Sequence, residues 1–479
     1  MQPVLTVAQM RAVDAAAQAQ VAEAVLVERA GTAVAGEALR LLGGAYGRRV
    51  VVVAGPGNNG ADGRVAARRL RRRGAAVRVL APAEDPEPIS GPLDLVIDAA
   101  FGTGFRGSFR FPAVPAGVPV LAVDIPSGVD GDTGRAAGRP QPADVTVTFA
   151  AVKPGLLQGD GAELAGRVVV ADIGLPSGFG PAAGPGAAQR ALVDDADVAL
   201  VPTRPRTTNK WRAAVLVVAG SPGMLGAAEL CCRGAYRAGA GMVRLLVPGA
   251  SPDRLPVSEA VAVAGPAAGW ASDALDIAER CQAVVVGPGL GRQPDTAAEV
   301  RRLVERCPVP VVVDGDGLVA LSAGAGAAGV GRRTASPLVL TPHDGEFARL
   351  AGAGPGDDRM SAASQLAADT AAVVLLKGST TVVAAPGPGA AGLPEGVELL
   401  VATAGSARLA TAGSGDVLSG LIGAFMARGA APAPAAAVAA HVHGRAAGLG
   451  RAVGLTAGDL PDLVARWLSG ERRSRRRGG

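Results

Sequence analysis

The sequence predicts an α/β protein of two domains, the first a doubly wound parallel sheet, and three observations carry that expectation. Short apolar runs alternate with helical patterns along most of the chain, the pattern of successive βαβ units. A Pro/Gly-rich passage from Gly174 to Gly186, then Val201-Pro-Thr-Arg-Pro-Arg206, breaks that alternation once, as a linker does. The 479 residues are 49% hydrophobic but only 3% aromatic, so the cores must be built from Val, Leu and Ala, which suits buried parallel strands under Ala-rich helices. That length also exceeds what one core serves.

The elements follow in order. Thr6 is placed to cap a first helix. Strands are expected at 49–54, 77–80, 93–99, 118–123, 145–149 and 168–173, and after the linker at 213–219, 242–247, 283–286, 309–313, 338–340, 373–376 and 381–384, the last two forming a hairpin. No internal repeat relates the halves. The resulting domains are residues 1–190 and 206–470, with a linker at 191–205 and an Arg-rich tail at 471–479.

Composition excludes several classes of function. The formal charge is +5, but Glu471-Arg-Arg-Ser-Arg-Arg-Arg477, with five arginines and one glutamate, carries four of those charges, leaving a near-neutral body. No basic stripe is interleaved with aromatics, so no nucleic-acid partner is expected. The N-terminus lacks a signal-peptide arrangement and no apolar run is long enough to span a bilayer, which points to a cytoplasmic protein with no membrane partner. Cys231, Cys232, Cys281 and Cys307 have no C-x-x-C spacing and read as buried reduced thiols.

Residue choice singles out certain loops. Only three lysines and three asparagines occur against forty-four arginines; coding bias explains the totals, not the positions. Asn58 and Asn59 stand in Gly55-Pro-Gly-Asn-Asn-Gly-Ala-Asp-Gly63, Lys153 follows the strand 145–149, Lys377 ends the strand 373–376, and Asn209 and Lys210 lead into the first strand of the second domain. A compact ammonium or a carboxamide does what a wide guanidinium cannot.

In the first domain, glycines after the 49–54 strand let backbone N–H groups approach a phosphate at a helix N-terminus whose first turn is expected to hold Asp62. Asp98 ends the third strand, and Asp124 and Ser127 follow the fourth; carboxyl ends of parallel strands converge on one crevice. Each of these acids either works there or simply caps the next segment. Lys153 either pairs with a phosphate or an Asp, or is an exposed loop residue. In the second domain, Leu409-Ala-Thr-Ala-Gly-Ser-Gly-Asp-Val417 opens a long helix, and the amides of Ala412 to Asp416 would form an anion hole for a transferring phosphoryl group, with Asp416 placed to take a proton from an attacking hydroxyl. His343, after Leu340-Thr-Pro, is either at the site or a helix cap; His441 and His443 read as structural; Asp314 and Asp316 divide evenly between metal or substrate contact and loop capping.

The set GPGNNGADG, DAAFGTGFRG, VDIPSG and FAAVKPGLL, within residues 1–175, resembles the Rossmann-like epimerase domain of NAD(P)H-hydrate repair enzymes. That resemblance implies that Asn59, Asp98 and Ser127 bind potassium, that Asn58, Asn59, Gly60, Ala61 and Asp62, the run Gly102, Thr103, Gly104, Phe105, Arg106, Gly107 and Ser108, and Asp124 contact the hydrated nucleotide, and that Asp124 is the acid–base residue. Ala61 departs from the glycine common in the family. The set Gly220–Ala227, Val286–Gly291, Leu340–Glu346, Leu376–Thr381 and TAGSGD is similar to the ADP-dependent NAD(P)H-hydrate dehydratase domain, of ribokinase-like fold, over residues 205–470. It implies that Ala227, Gly289, His343 and Asp416 contact the hydrate, that Lys377, Gly378, Ser379, Thr380, Thr381 and Gly415 hold the adenine nucleotide, and that Asp416 is catalytic. Here the family's Asn-Pro-Gly type segment is replaced by Ala404-Gly-Ser-Ala-Arg408.

The expectation is thus a bifunctional enzyme using K+ in the first domain and Mg2+ in the second. It would act on hydrated NADH or NADPH with ADP as co-substrate, and would form homo-oligomers. Two alternatives stand beside it: a ribokinase-type kinase of a small alcohol, and a non-catalytic nucleotide-binding first domain.

Overall fold

The structure, a computed structural model, describes residues 1–251, 259–322, 327–387 and 389–470; the Arg-rich tail lies outside the described residues. The chain divides into two compact units, Gln2–Arg190 and a larger one from Ala191 onward. No helix among the described residues is long and apolar enough to cross a membrane.

In the first unit, α1 (Val7–Gln18) begins at Thr6, whose hydroxyl accepts the Gln9 N–H while the Gln9 side chain accepts the Thr6 N–H at 2.9 Å, a reciprocal cap. The central sheet comprises β1 (Arg49–Ala54), β2 (Ala76–Leu80), β3 (Leu95–Ala99), β4 (Val120–Val123), β5 (Val145–Phe149) and β6 (Arg167–Ala171), all parallel, in the order β2-β1-β3-β4-β5-β6. The strand order reverses between β1 and β3, and ligands of such sheets bind beyond the carboxyl ends at that reversal. Alternate residues face opposite cores: Val50, Val52, Ile97 and Leu121 pack with Leu26, Val34 and Leu70 of α2 (Glu23–Leu42) and α3 (Asn58–Arg72), while Val51, Val53 and Val96 pack with Phe109 and Phe111. Each such side chain, fully buried, contributes about 1.5–3 kcal/mol. Helix α2 lies hard against α3 because Gly31 has no Cβ; one would sit 2.6 Å from the Asp62 carbonyl oxygen.

Helix α3 starts earlier than its sequence suggests. Gly57 is its N-cap and accepts the Ala61 N–H at 3.0 Å, so Asp62 falls in the second turn, free of any capping duty. Gly60 makes this start possible, since a Cβ there would meet the Gly55 carbonyl at 1.8 Å.

The second unit is built on a mixed sheet of β7 (Ala214–Val218), β8 (Met242–Pro248), β9 (Val261–Gly265), β10 (Ala283–Val286), β11 (Val311–Val313), β12 (Leu338–Leu340), β13 (Val373–Leu376), β14 (Thr381–Ala384) and β15 (Leu399–Ala402), in the order β15-β14-β13-β12-β11-β10-β7-β8-β9. The strands from β9 to β13 are parallel, and β13-β14-β15 form an antiparallel meander. The order reverses at β7, beside β10. Two strands escape the sequence reading: β9, Val-Ala-Val-Ala-Gly, has too many small residues to stand out, and β15 owes its strand to pairing with β14, since context outweighs intrinsic β preference.

Helix α4 (Leu225–Arg237) and α10 (Ser414–Ala427) meet backbone to backbone, a Cβ on Gly234 falling 2.6 Å from the Val417 carbonyl and one on Gly420 2.1 Å from that of Cys231. The four cysteines are free and buried. Buried His441, on α11 (Pro432–Leu449), lies 2.8 Å from Asp195 through Nε2, and His443 is buried in the same helix.

Candidate active sites

The carboxyl ends of β1, β3, β4 and β5 in the first unit surround a cavity of about 570 Å³. Asp124, the first residue past β4, has φ of 67°, in the left-handed region that Asp tolerates better than most residues, and its N–H is held by the Val147 carbonyl at 2.7 Å. The carboxylate accepts the Thr103 N–H at 3.0 Å and stands 2.9 Å from Lys153 Nζ. Burial alone would raise its pKa, but the Lys153 ammonium and the Thr103 N–H outweigh that and hold the carboxyl below its ordinary value. Lys153 is no exposed loop residue: it is 1% exposed and also donates to Thr148 Oγ1 at 2.8 Å and the Phe149 carbonyl at 3.0 Å.

The loop after β3 closes over this pair. Gly102 lies so near that a Cβ would be 2.8 Å from Asp124 Oδ2 and 3.4 Å from Asn59 Oδ1. Phe101 stacks on Phe105 at 4.3 Å between ring centroids and edge-on to Phe109 at 4.9 Å, which shapes the loop from within. The wall of the cavity includes Asn58, Asn59, Asp62, Gly102, Thr103, Gly104, Phe105, Arg106, Asp124 and Lys153. Gly60, Ala61, Gly107 and Ser108 stay outside that wall. Asn58 is held by Glu23 at 2.7 Å. Both side-chain atoms of Asn59 are buried without a partner, a costly state unless a ligand supplies one. Asp98 and Ser127 lie behind the wall, fully buried and joined to each other, Ser127 Oγ to Asp98 Oδ1 at 2.5 Å and Ser127 N–H to Oδ2 at 2.8 Å. Burial pushes Asp98 up to about 6 against those bonds. Sequence reasoning missed Asp14 and Met10, which α1 brings to the cavity; the only signal was the position of Asp14 beside the buried stripe Val7, Met10, Val13 and Ala17.

The Lys153–Asp124 pair yields a stability prediction. Lys153→Met should leave Asp124 buried without its cation, costing about 3–5 kcal/mol, read as a lower urea midpoint at pH 7. Because the native state holds Asp124 below the ordinary carboxylate value, the wild-type advantage should be fully present above that ordinary value and fade as the pH falls through the native one.

In the second unit, Lys377 at the end of β13 is 2.7 Å from Asp314 Oδ1 and 3.7 Å from Glu346. Burial would lower its pKa, but the charges of Asp314 and Glu346 prevail and raise it, so it stays a cation. Asp314, beyond β11, also accepts from Thr341 Oγ1 at 2.8 Å, whereas Asp316 is taken up by the Gly291 N–H and Arg292, both at 2.9 Å, as a loop cap. Helix α10 begins at Gly413, φ 89°. A Cβ on Gly415 would come within 3.4 Å of Lys377 Nζ, which sets the helix's first turn against the lysine. Asp416 in that turn is pushed up to about 7, by burial first and then by the charge of Asp314, against the opposing pull of Lys377.

Other predicted residues gather nearby in two groups. Gly289, φ 63°, touches Ala227, a Cβ on it falling 2.9 Å away, and its carbonyl accepts from Ser221 at 2.9 Å. The Lys377–Thr381 loop is fastened by the Arg359 guanidinium on the Lys377 carbonyl at 2.8 Å, and Gly405 packs on it, a Cβ there meeting the Ser379 carbonyl at 2.4 Å. The divergent Ala404–Arg408 segment therefore borders this loop and forms part of a cavity of about 500 Å³ with Thr403, Gly444 and Trp467. His343 is the N-cap of α8 (Asp344–Ala351): its Nδ1 accepts the Gly345 and Glu346 N–H groups, and its outer edge is solvent-facing. Arg359 had no distinguishing motif in the sequence, and Glu346 stood out only as the end of the Leu340–Glu346 segment, with no role of its own.

Comparison with known proteins agrees with this division. Residues 215–467 match the family model described as NAD(P)H-hydrate dehydratase, and residues 23–90 and 81–155 match that described as YjeF-related protein N-terminus. The chain is similar to the bifunctional NAD(P)H-hydrate repair enzyme Nnr of Moorella thermoacetica, 37% identical with 92% of this chain and 91% of that protein covered, and to that of Mycobacterium leprae, 39% identical with 97% of each covered. Among solved structures, a ribokinase-like superfamily protein from Enterococcus faecalis shares the fold, with a TM-score of 0.50 at 19% identity, covering 59% of this chain and 96% of that one.

Proposed function

Because the chain belongs to the family of bifunctional NAD(P)H-hydrate repair enzymes, we propose that residues 1–190 interconvert the R and S hydrates of NADH and NADPH, and that residues 206–470, beyond a linker at 191–205, dehydrate the S form at the expense of ADP, leaving AMP and phosphate. The observation that carries this reading is the use of two of the chain's three lysines: Lys153 on Asp124 and Lys377 on Asp314, each pair beyond the carboxyl ends of its sheet's parallel strands.

In the first unit, Asn58, Asp62 and the Gly102–Arg106 loop surround the hydrate, and Asp124, ionised beside Lys153, accepts a proton at the C6 hydroxyl or at water. Potassium fits one donor well: the buried, unpartnered Asn59 oxygen is the hard neutral ligand such a cation takes. Asp98 and Ser127 would complete the set, and the ion would supply positive charge near the phosphates and the reacting oxygen.

In the second unit, Ala227, Gly289, His343 and Asp416 face the hydrate, while Lys377–Thr381 and Gly415 hold the nucleotide phosphates. Asp416 removes the proton from the C6 hydroxyl as that oxygen attacks the terminal phosphorus of ADP; amides at the start of α10 and Lys377 stabilise the charge on the phosphoryl oxygens. The C6–O bond then breaks with its electron pair leaving on phosphate, a far better leaving group than hydroxide, and loss of a proton from C5 forms the C5=C6 bond of NADH. Magnesium would arrive on the nucleotide, since no ready cluster of three His, Cys, Asp or Glu side chains waits for it among the described residues.

A direct test incubates purified protein with hydrated NADH and follows NADH absorbance with ADP, with ATP or with neither; no recovery under any condition sinks the dehydratase reading. A pH profile adds a second check. With Asp416 pushed up to about 7, its base form grows as the pH rises through that value, so kcat for dehydration of the S hydrate should climb from pH 6 to pH 8, and a flat profile would speak against Asp416 as the base.

A further inference from the structure

Resting on the epimerase reading, we infer that Asp62 is a second catalytic carboxyl of the first unit: it hands its proton to the departing C6 hydroxyl, and Asp124 takes a proton from the water that adds to the opposite face of the ring. The chemistry involves two proton transfers, one to the departing hydroxyl and one from the adding water. The C6 centre of the hydrate carries both a hydroxyl and the ring nitrogen. Protonation of the hydroxyl by the Asp62 carboxyl lets the C6–O bond break, with its electron pair leaving on water, while the nitrogen lone pair forms the N1=C6 bond. Water then adds to the other face, C6–O forms, the N1=C6 pair returns to nitrogen, and the excess proton passes to the Asp124 carboxylate. A proton relayed from Asp124 to Asp62 restores both groups, and nothing is oxidised or reduced.

The structure sets these two carboxyls apart. Both face the same cavity, but Asp124 has Lys153 at 2.9 Å and the Thr103 N–H at 3.0 Å, whereas Asp62, 7% exposed, has neither a cation nor a hydrogen-bond donor among the described residues. A buried carboxyl without a partner keeps its proton, and burial, then the nearby Asp124 charge, pushes Asp62 up to about 8. Two carboxyls in one pocket with pKa values driven apart are an acid and a base. The other titratable groups facing the cavity are committed elsewhere or less enclosed. Glu23 holds Asn58, Arg106 faces Asp130 at 3.5 Å, Lys153 is saturated, and Asp14, though burial pushes its carboxyl up as well, is only half-buried and has the Lys153 charge opposing that shift. Backbone contact between Gly31 and the Asp62 carbonyl fixes where the acid stands.

The test uses the full-length chain without nucleotide, following conversion of the (R)-hydrate of NADH to its epimer by NMR. Asp62→Asn should lower kcat by about a hundredfold or more while KM changes little, the size expected for loss of a general acid. In the wild type, kcat should fall as the pH rises through about 8, where Asp62 gives up its proton, and Asp62→Glu, which restores a protonated carboxyl, should recover part of the rate. A rise in KM with kcat preserved would reduce Asp62 to a binding contact and overturn the inference. Should Asp62→Asn not fold, the wild-type profile decides: no alkaline limb overturns it equally. A wild-type chain that exchanges epimers no faster than they exchange spontaneously would refute the epimerase reading itself, and Asp62's role with it; exchange by the wild type together with full activity in Asp62→Asn would refute the role alone.

Discussion

Replacing Asp416 with alanine should stop NADH recovery from the S hydrate, by about 10²–10⁴-fold in kcat, the range for removal of a positioned general base, while leaving epimer exchange at the wild-type rate. The size follows from its surroundings. Asp416 is the one carboxyl in the first turn of α10, next to the glycine that rests on Lys377, and its upward shift to about 7 makes it both basic enough to take a proton and acidic enough to release it. Asp314 cannot substitute, because it is spent on Lys377 and Thr341. Folding should survive, since removing a partly protonated acid from a site crowded with like charge relieves repulsion. The measurement is NADH absorbance with ADP, paired with NMR of the epimers on the same preparation. Dehydration persisting near the wild-type rate would remove Asp416 from the mechanism.

The second large effect belongs to Asp124. Asp124→Ala should confine NADH recovery from a mixed sample to the S epimer, the R form then draining only at its spontaneous rate of exchange. Without the carboxylate, Lys153 is left buried and uncompensated, and alanine at φ 67° adds about 1–2 kcal/mol of backbone strain. Asp124→Asn is therefore the companion variant: Asn tolerates that backbone, so a loss of exchange shared by both variants reports the chemistry. Rapid consumption of both epimers by Asp124→Asn would count against the role.

Much of this was legible in the sequence because the sheets are buried on both faces. Runs such as Arg49–Ala54 and Val373–Leu376 read directly as strands, and Thr6 read directly as a helix cap. The scarce lysines were a sharper guide than any motif taken alone, since two of the three rest on strand-end carboxylates; the asparagine signal was weaker, because Asn209 merely caps a short turn through the Trp211 N–H. What stayed hidden was set by tertiary contact. Nothing local says that Lys153 is enclosed, that Asp62 lacks a partner, or that Asp14 reaches the cavity, because each depends on helices packed from elsewhere in the chain. The start of α3 was hidden similarly: it depends on the Gly60 backbone passing the Gly55 carbonyl, a contact across one turn that no residue preference announces. Arg359 holds the Lys377–Thr381 loop through one hydrogen bond to the Lys377 carbonyl and Glu346 faces Lys377 at 3.7 Å, contacts that leave no pattern in the sequence.

The glycine seam between α4 and α10 bears on how nucleotide binding is driven. With Gly234 and Gly420 bringing two backbones into contact, the helix that presents Asp416 and the amides proposed to bind phosphate is anchored before any ligand arrives. Little freedom is left for a phosphate to quench at that end of the site. The entropy lost on binding should therefore come from the nucleotide itself and from the exposed Gly378–Ser379 turn, and calorimetry should find association at this cradle limited by desolvation of its amides more than by the ordering of its chain.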